Sequence, residues 1–111
     1  MKTKSLIVDR TTLPVIEERL YKESQSWHYV LTVTVPQRAK LRVLIERNAY
    51  DFQSRLRCQM WTPNGWTTVC HRPMNEAEAY CHSVSYGDRN PDINLFLADA
   101  QRLLETALQI I

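Results

Sequence analysis

The sequence predicts an α+β domain in which a four-stranded antiparallel β-meander packs on a long C-terminal helix, with a short helix at the N-terminus. Three observations carry this prediction: a period of two from Trp27 to His71, a strong turn signal at Pro63-Asn64-Gly65, and an apolar helical stripe after Pro91. The chain has 111 residues, of which 44% are apolar and 23% are charged. We therefore expect residues 1–111 to form a single domain around one core.

The N-terminal helix is predicted from Leu13, Ile16 and Leu20, which recur at positions i, i+3 and i+7 of one helix face. Pro14 is acceptable in a first turn, where its missing N–H would have had no partner. A short helix is therefore expected ahead of the sheet.

The strands are predicted from alternation of apolar and polar side chains in segments rich in β-branched residues. Three turns give three independent registers, which pair Val35 with Leu41, Arg47 with Phe52, and Thr62 with Trp66. These registers agree in collecting the large apolar side chains on one face, as expected when only one face of a sheet is buried. The alternating apolar residues are Tyr29, Leu31, Val33, Val35, Leu41, Val43, Ile45, Phe52, Leu56, Cys58 and Met60.

The clearest local signal is the turn Thr62-Pro63-Asn64-Gly65. Pro presets φ and Gly takes a left-handed position, which is typical of a type I turn followed by a glycine bulge. The return strand from Trp66 to His71 then places Cys70 opposite Cys58 on the buried face. Their Cα atoms should lie within about 7 Å of each other.

The C-terminal helix is predicted to begin near Asn90-Pro91-Asp92, with Pro91 in its first turn. Its apolar stripe runs from Ile93 to Ile111 and is the natural cover for the apolar sheet face. The segment 73–88 fits either a short helix or a loop that wraps the sheet.

Composition disfavours several functional classes. The net charge of +2 is far below that of most dedicated nucleic-acid binders, and two glycines disfavour a phosphate-binding loop. The apolar run Leu6-Ile7-Val8 is too short for a signal peptide, and no stretch approaches the length of a membrane span. We expect a cytoplasmic protein with reduced cysteines, without a membrane partner and without a cofactor.

No catalytic motif is recognisable, and the protein is predicted not to be an enzyme. The Cys70-His71 and Cys81-His82 pairs lack the spacing of a zinc site, and Cys70 and His71 point to opposite faces of their strand. Cys81 is the one candidate for a reactive thiol, because the other two cysteines are expected in the core. The paired Glu17-Glu18 and the isolated Asp99 are explained by solvated helix faces.

The candidate partner-binding residues are Arg42, Arg55, Arg57 and Trp61, which alternation places on the face that the helix does not cover. The predicted registers set Arg42 opposite Arg57, and such like-charge neighbours repel modestly. A plain solvated face would account for them. Functional alternatives are a protein partner, a second copy of the chain in a homodimer, or single-stranded nucleic acid. A runner-up surface is Tyr80, His82 and Tyr86 in the segment 73–88.

The segment Tyr50-Asp51-Phe52-Gln53-Ser54, followed by Trp61 and the Gly65-Trp66 turn, resembles small uncharacterised proteins encoded by bacteriophages and other mobile elements. The resemblance covers the central hairpins and implies no catalytic residue or cofactor. It implies a protein that binds and disables a component of host defence, as anti-CRISPR proteins do. The function predicted from sequence is therefore a non-enzymatic protein-binding module, with accessory nucleic-acid binding as the alternative.

Overall fold

The computed structural model describes residues 4–23, 26–48, 54–73 and 93–111. These ranges form one antiparallel sheet of six strands in chain order, together with one C-terminal helix. The α+β class and the antiparallel meander are confirmed, whereas the predicted count of four strands and the short N-terminal helix are wrong. The elements are β1 Ser5–Val8, β2 Thr11–Glu23, β3 Ser26–Val35, β4 Ala39–Asn48, β5 Ser54–Thr62, β6 Gly65–Pro73 and α1 Ile93–Ile110.

The predicted N-terminal helix is replaced by β2, because a β-bulge disguises the alternation of this strand. The register on β3 shifts between Val15 and Glu17, so an extra residue is inserted at Ile16. A bulge moves later side chains to the opposite face. Leu13 is fully buried while Ile16 is 53% exposed, which no amphipathic helix with this stripe would produce.

Strand β1 pairs with the start of β2 through a tight two-residue turn at Asp9 and Arg10. Both residues have positive φ, 49° and 64°, as a two-residue hairpin of the primed type requires. Asn-Gly or Asp-Gly is the usual sequence at such a turn. Asp-Arg is an unusual choice, and for this reason the hairpin carries no recognisable sequence signal.

The observed registers of β3–β4 and β4–β5 differ from the predicted ones by two residues. Val35 pairs with Ala39 rather than Leu41, and Leu41 pairs with Met60 rather than Cys58. The β3–β4 loop is shorter than expected, with Gln37 at a φ of 63°. Because side chains alternate with a period of two, this error leaves every residue on its predicted face.

The β5–β6 hairpin carries a bulge that restores the predicted cysteine pair. Thr62 pairs with Gly65 at the turn, one residue away from the expected register, and Gly65 has the predicted positive φ of 99°. A shift between Cys58 and Gln59 then places Cys58 opposite Cys70. The cross-strand cysteine pair is therefore confirmed, although the register beside the turn is not.

We call the covered side of the sheet the inner face and the opposite side the outer face. On the inner face, α1 packs against the strands, and Phe96 stacks on Tyr29 with ring centroids 5.6 Å apart. Asp99, expected on a solvated helix surface, is only 3% exposed.

No helix in the described ranges has the length and apolarity needed to cross a membrane. The fully buried apolar residues include Leu13, Tyr29, Val33, Leu41, Val43, Cys58, Phe96, Ala100, Leu104 and Ala107.

Candidate partner-binding surface

The four sequence-predicted residues Arg42, Arg55, Arg57 and Trp61 lie on the outer face, on the adjacent strands β4 and β5. Arg55 and Arg57 are exposed, Trp61 is 52% exposed, and Arg42 is half-buried. The structure therefore brings them together on the side of the sheet that α1 leaves open.

Arg42 is held by two neighbours. It lies opposite Gln59, not opposite Arg57 as the predicted register had it. Its Nε and Nη2 atoms both donate to Gln59 Oε1, at 3.1 and 2.5 Å. Its guanidinium carbon also lies 4.3 Å from the ring centroid of Trp66, a cation–π contact. Arg42 is thus oriented before any partner arrives.

Partial burial lowers the pKa of Arg42, and the positive charge of Arg57 lowers it further, while Glu17 acts in the opposite direction. An arginine guanidinium nevertheless stays charged at neutral pH, because its ordinary pKa is above 12. Burial is thus the main cause of the shift, and the nearby charges of Arg57 and Glu17 act on it in opposite directions.

Trp61 and Trp66 form an aromatic pair at the end of the β5–β6 hairpin. They are cross-strand partners, with ring centroids 5.2 Å apart and an interplanar angle of 64°. The turn beside them is braced by Thr62, whose hydroxyl donates to the carbonyl of Gly65 at 2.8 Å. A large exposed aromatic side chain on a rigid hairpin loses little conformational freedom on binding, which suits an interface anchor.

A pocket of about 280 Å³ opens on the outer face away from the tryptophans. Tyr21 and His28 form one wall as a parallel stack with centroids 5.1 Å apart. Arg55 and Arg57 form the other wall. In the described part of the chain the structure assigns neither arginine an ion pair or a side-chain hydrogen bond, since the salt bridges there join other residues.

The outer face is a mosaic of both charges rather than a uniformly basic surface. Glu46 lies between His28 and Arg55 in the cross-strand row that lines the pocket. Glu17 lies near Arg42 and ion-pairs with Arg19 at 3.7 Å. Acidic groups therefore interrupt the arginines at both ends of the surface.

The cysteine pair on the inner face is unsuited to nucleophilic chemistry. Burial raises the pKa of Cys58 to about 12, and the neighbouring Cys70 adds to that shift. Burial also raises the pKa of Cys70, against a smaller opposing effect of its hydrogen bond with Cys58. Cys70 lines a pocket of about 220 Å³ between β6 and α1 and donates to the Leu103 carbonyl at 3.7 Å. Both cysteines are therefore held as thiols, and a thiol is a poor nucleophile.

Two further predictions concern sites away from the outer face: the expected lack of a metal site and the runner-up surface in the segment 73–88. Across the four described ranges, no three His, Cys, Asp or Glu side chains are grouped so that they could hold a metal ion. The runner-up surface of Tyr80, His82 and Tyr86, and the candidate thiol Cys81, lie outside the described residues. So does most of the segment that carries the resemblance to phage-encoded proteins.

Sequence reasoning missed several members of this surface. The sequence predicts only that Trp66 begins a return strand, and it places Arg19 within the predicted N-terminal helix, just ahead of Tyr21. The available signal that Arg19 and Tyr21 lie on a strand is the alternation of Glu17, Arg19 and Tyr21. It places a polar or amphipathic side chain at every second position. Gln59, which holds Arg42, could not be found because its role depends on register.

Comparison of the chain with protein-family models, with curated proteins and with solved structures gives no match. The outer face itself is therefore the basis for a function, and the resemblance to phage-encoded proteins stays a prediction.

Proposed function

We propose that this protein is a non-enzymatic protein-binding module whose working surface is the outer face around Arg42, Arg55, Arg57 and Trp61. The observation that supports it most is the pre-organised contact of Arg42 with Gln59 and Trp66, beside the exposed Trp61. Arginine and tryptophan dominate the binding energy of many protein interfaces. Gln59 and Trp66 orient Arg42 in advance, so ordering this side chain on association costs little entropy.

A protein partner fits the charge pattern better than a nucleic acid does. Nucleic-acid binders follow a repeating phosphate backbone with continuous positive charge. The outer face is interrupted by Glu17 and Glu46, and the whole chain carries a net charge of only +2. Accessory binding of single-stranded nucleic acid is the second candidate, favoured by the exposed Trp61 beside arginines, since bases stack on such side chains.

The resemblance to phage and mobile-element proteins suggests the kind of partner. We propose that it is a cytoplasmic component of a host defence complex, such as a nuclease, which this module would inhibit by occupying a surface. A second copy of the chain is an alternative occupant that would make the protein a homodimer. In either case the module works by binding alone and needs no cofactor.

The decisive variant is the double charge reversal R55E/R57E. We expect it to weaken partner binding by about 2 kcal/mol or more, roughly thirtyfold, because hot-spot arginines lose both charge and hydrogen bonds. The matched control is R10E/R102E, which makes the same change in net charge in the β1–β2 turn and on α1. Trp61→Ala tests the aromatic anchor separately from charge.

The measurement is a quantitative pull-down from lysate of the source cells, followed by titration of the captured partner against each variant. Thermal melts check that the variants fold. If the partner binds wild type, R55E/R57E and Trp61→Ala equally well, the outer face is not the binding surface. Nuclease treatment and a salt series separate the two candidate functions, because phosphate-driven binding falls steeply with salt.

A further inference from the structure

We propose that the pocket lined by Tyr21, His28, Arg55 and Arg57 is a receptor for a carboxylate, namely an Asp or Glu side chain on an acidic segment of the partner protein. The inference rests on the proposed function and names the chemistry of the partner. The outer face then has two binding regions: an aromatic anchor at Trp61 and Trp66, and a carboxylate site at the pocket.

The two arginines are placed to act together. Arg55 and Arg57 are two residues apart on β5, so both side chains leave the same face of one strand. Their cross-strand neighbours are Glu46 and Leu44 respectively, and no ion pair is recorded for either arginine among the described residues. Two guanidinium groups with free donors on one pocket wall are suited to a carboxylate, which accepts parallel hydrogen bonds from arginine.

The surroundings of the arginines would strengthen such a contact. Val30 and Leu44 are cross-strand partners that line the pocket on the row of Arg57, and Val30 is 7% exposed. On the opposite wall Tyr21 stacks on His28, and the guanidinium carbon of Arg19 lies 5.3 Å from the Tyr21 ring centroid. A charge-assisted hydrogen bond is stronger against an apolar surface than in open water.

Glu46 decides which anion the pocket favours. It lines the same pocket, in the cross-strand row between His28 and Arg55. Arg57 lies opposite Leu44, one outer-face row away from the Glu46–Arg55 pair, so a single carboxylate can bind on the row of Arg57. A phosphate backbone places charge on both sides of each contact and would meet Glu46 and, further along, Glu17. The charge pattern therefore points to an acidic polypeptide.

The test titrates the full-length ¹⁵N-labelled protein with a blocked peptide, acetyl-Gly-Glu-Glu-Glu-Gly-amide, to about 10 mM, which covers the millimolar affinity of a single contact site. The readout is the position of the arginine Nε–Hε resonances. We expect those of Arg55 and Arg57 to shift and saturate, with at least tenfold weaker binding of the peptide in which glutamine replaces each glutamate. Arg57→Gln should lose the response, and Arg102→Gln on α1 should keep it.

Three results would overturn the assignment: no saturation, an equal shift at Arg102, or tighter and more salt-sensitive binding of oligothymidine than of the acidic peptide. The first of these is distinguishable from failure of the proposed function. If the peptide does not bind but Trp61→Ala still abolishes capture of the protein partner, the carboxylate receptor is wrong and the binding module stands.

Discussion

Glu18 is an acidic residue that points from β2 to the inner face, opposite Leu31. It is tolerated there because two groups donate to it. The hydroxyl of the fully buried Tyr29 donates to Glu18 Oε2 at 2.5 Å, and the Lys4 ammonium group binds the other carboxylate oxygen. Burial by itself would raise the pKa of Glu18, but the hydrogen bonds from Lys4 and Tyr29 outweigh it and lower the pKa below 4.5.

This lowered pKa makes folding stability depend on pH in the acid range. The contribution of Glu18 is fully present above about pH 4.5, the unfolded value, and is lost as the pH falls through the lower folded value. Glu18→Gln should therefore be less stable than wild type at pH 7 and should show a shallower loss of stability on acidification.

Urea midpoints measured between neutral pH and about pH 2 check the Glu18 prediction. Glu105→Gln, at an exposed glutamate of α1, is the control and should follow the wild-type profile. A Glu18→Gln profile parallel to wild type would show that the Lys4–Glu18–Tyr29 contacts do not couple to folding.

Strand β2 shows how one inserted residue changes the identity of an element. Without a bulge, Leu13 and Val15 would be followed on the inner face by Glu17 and Arg19. With the bulge at Ile16, Glu18 and Leu20 face inward instead. The resulting spacing of Leu13, Ile16 and Leu20 imitates a helix, although the residues pair as a strand.

The strand assignment predicts opposite outcomes at two neighbouring apolar residues. Leu13→Ala should cost about 2–5 kcal/mol of unfolding free energy, because Leu13 is fully buried. Ile16→Thr should cost less than about 1 kcal/mol, because Ile16 is largely exposed and Thr keeps the β-branched shape. Chemical denaturation of the two variants measures both values. Comparable losses would instead support the helix with its three-residue apolar stripe.

At the scale of the whole molecule, one helix and one sheet make a two-layer arrangement. Helix α1 covers the inner face, where Phe96, Ala100, Leu103, Leu104 and Ala107 join the core. In the described ranges no second element packs on the outer face, which exposes Trp61 and the arginines of β5. Burial of the inner face under α1 stabilises the fold, and the uncovered outer face forms the candidate surface.

The helix should be essential to the stability of the sheet. Leu104 is fully buried between α1 and the strands, so Leu104→Ala should lower the unfolding free energy by about 2–5 kcal/mol. Gln109→Ala, at an exposed position of the same helix, is the control and should change it by less than about 0.5 kcal/mol. Calorimetry or urea denaturation tests the pair. Equal stability of Leu104→Ala and wild type would show that α1 is not the core cover.

The fold class, the C-terminal helix and the faces on which the residues of β3, β4 and β5 lie follow from the pattern of amino acids alone. Face assignment is robust because alternation has a period of two, so a register error of two residues leaves Val43 inside and Arg57 outside. The pairing partners, and with them the contact of Arg42 with Gln59 and Trp66, are set only when the sheet assembles. The same is true of the strand conformation of the segment from Leu13 to Leu20. Loop lengths and bulges set these features, and their small local energies leave little trace in composition or periodicity.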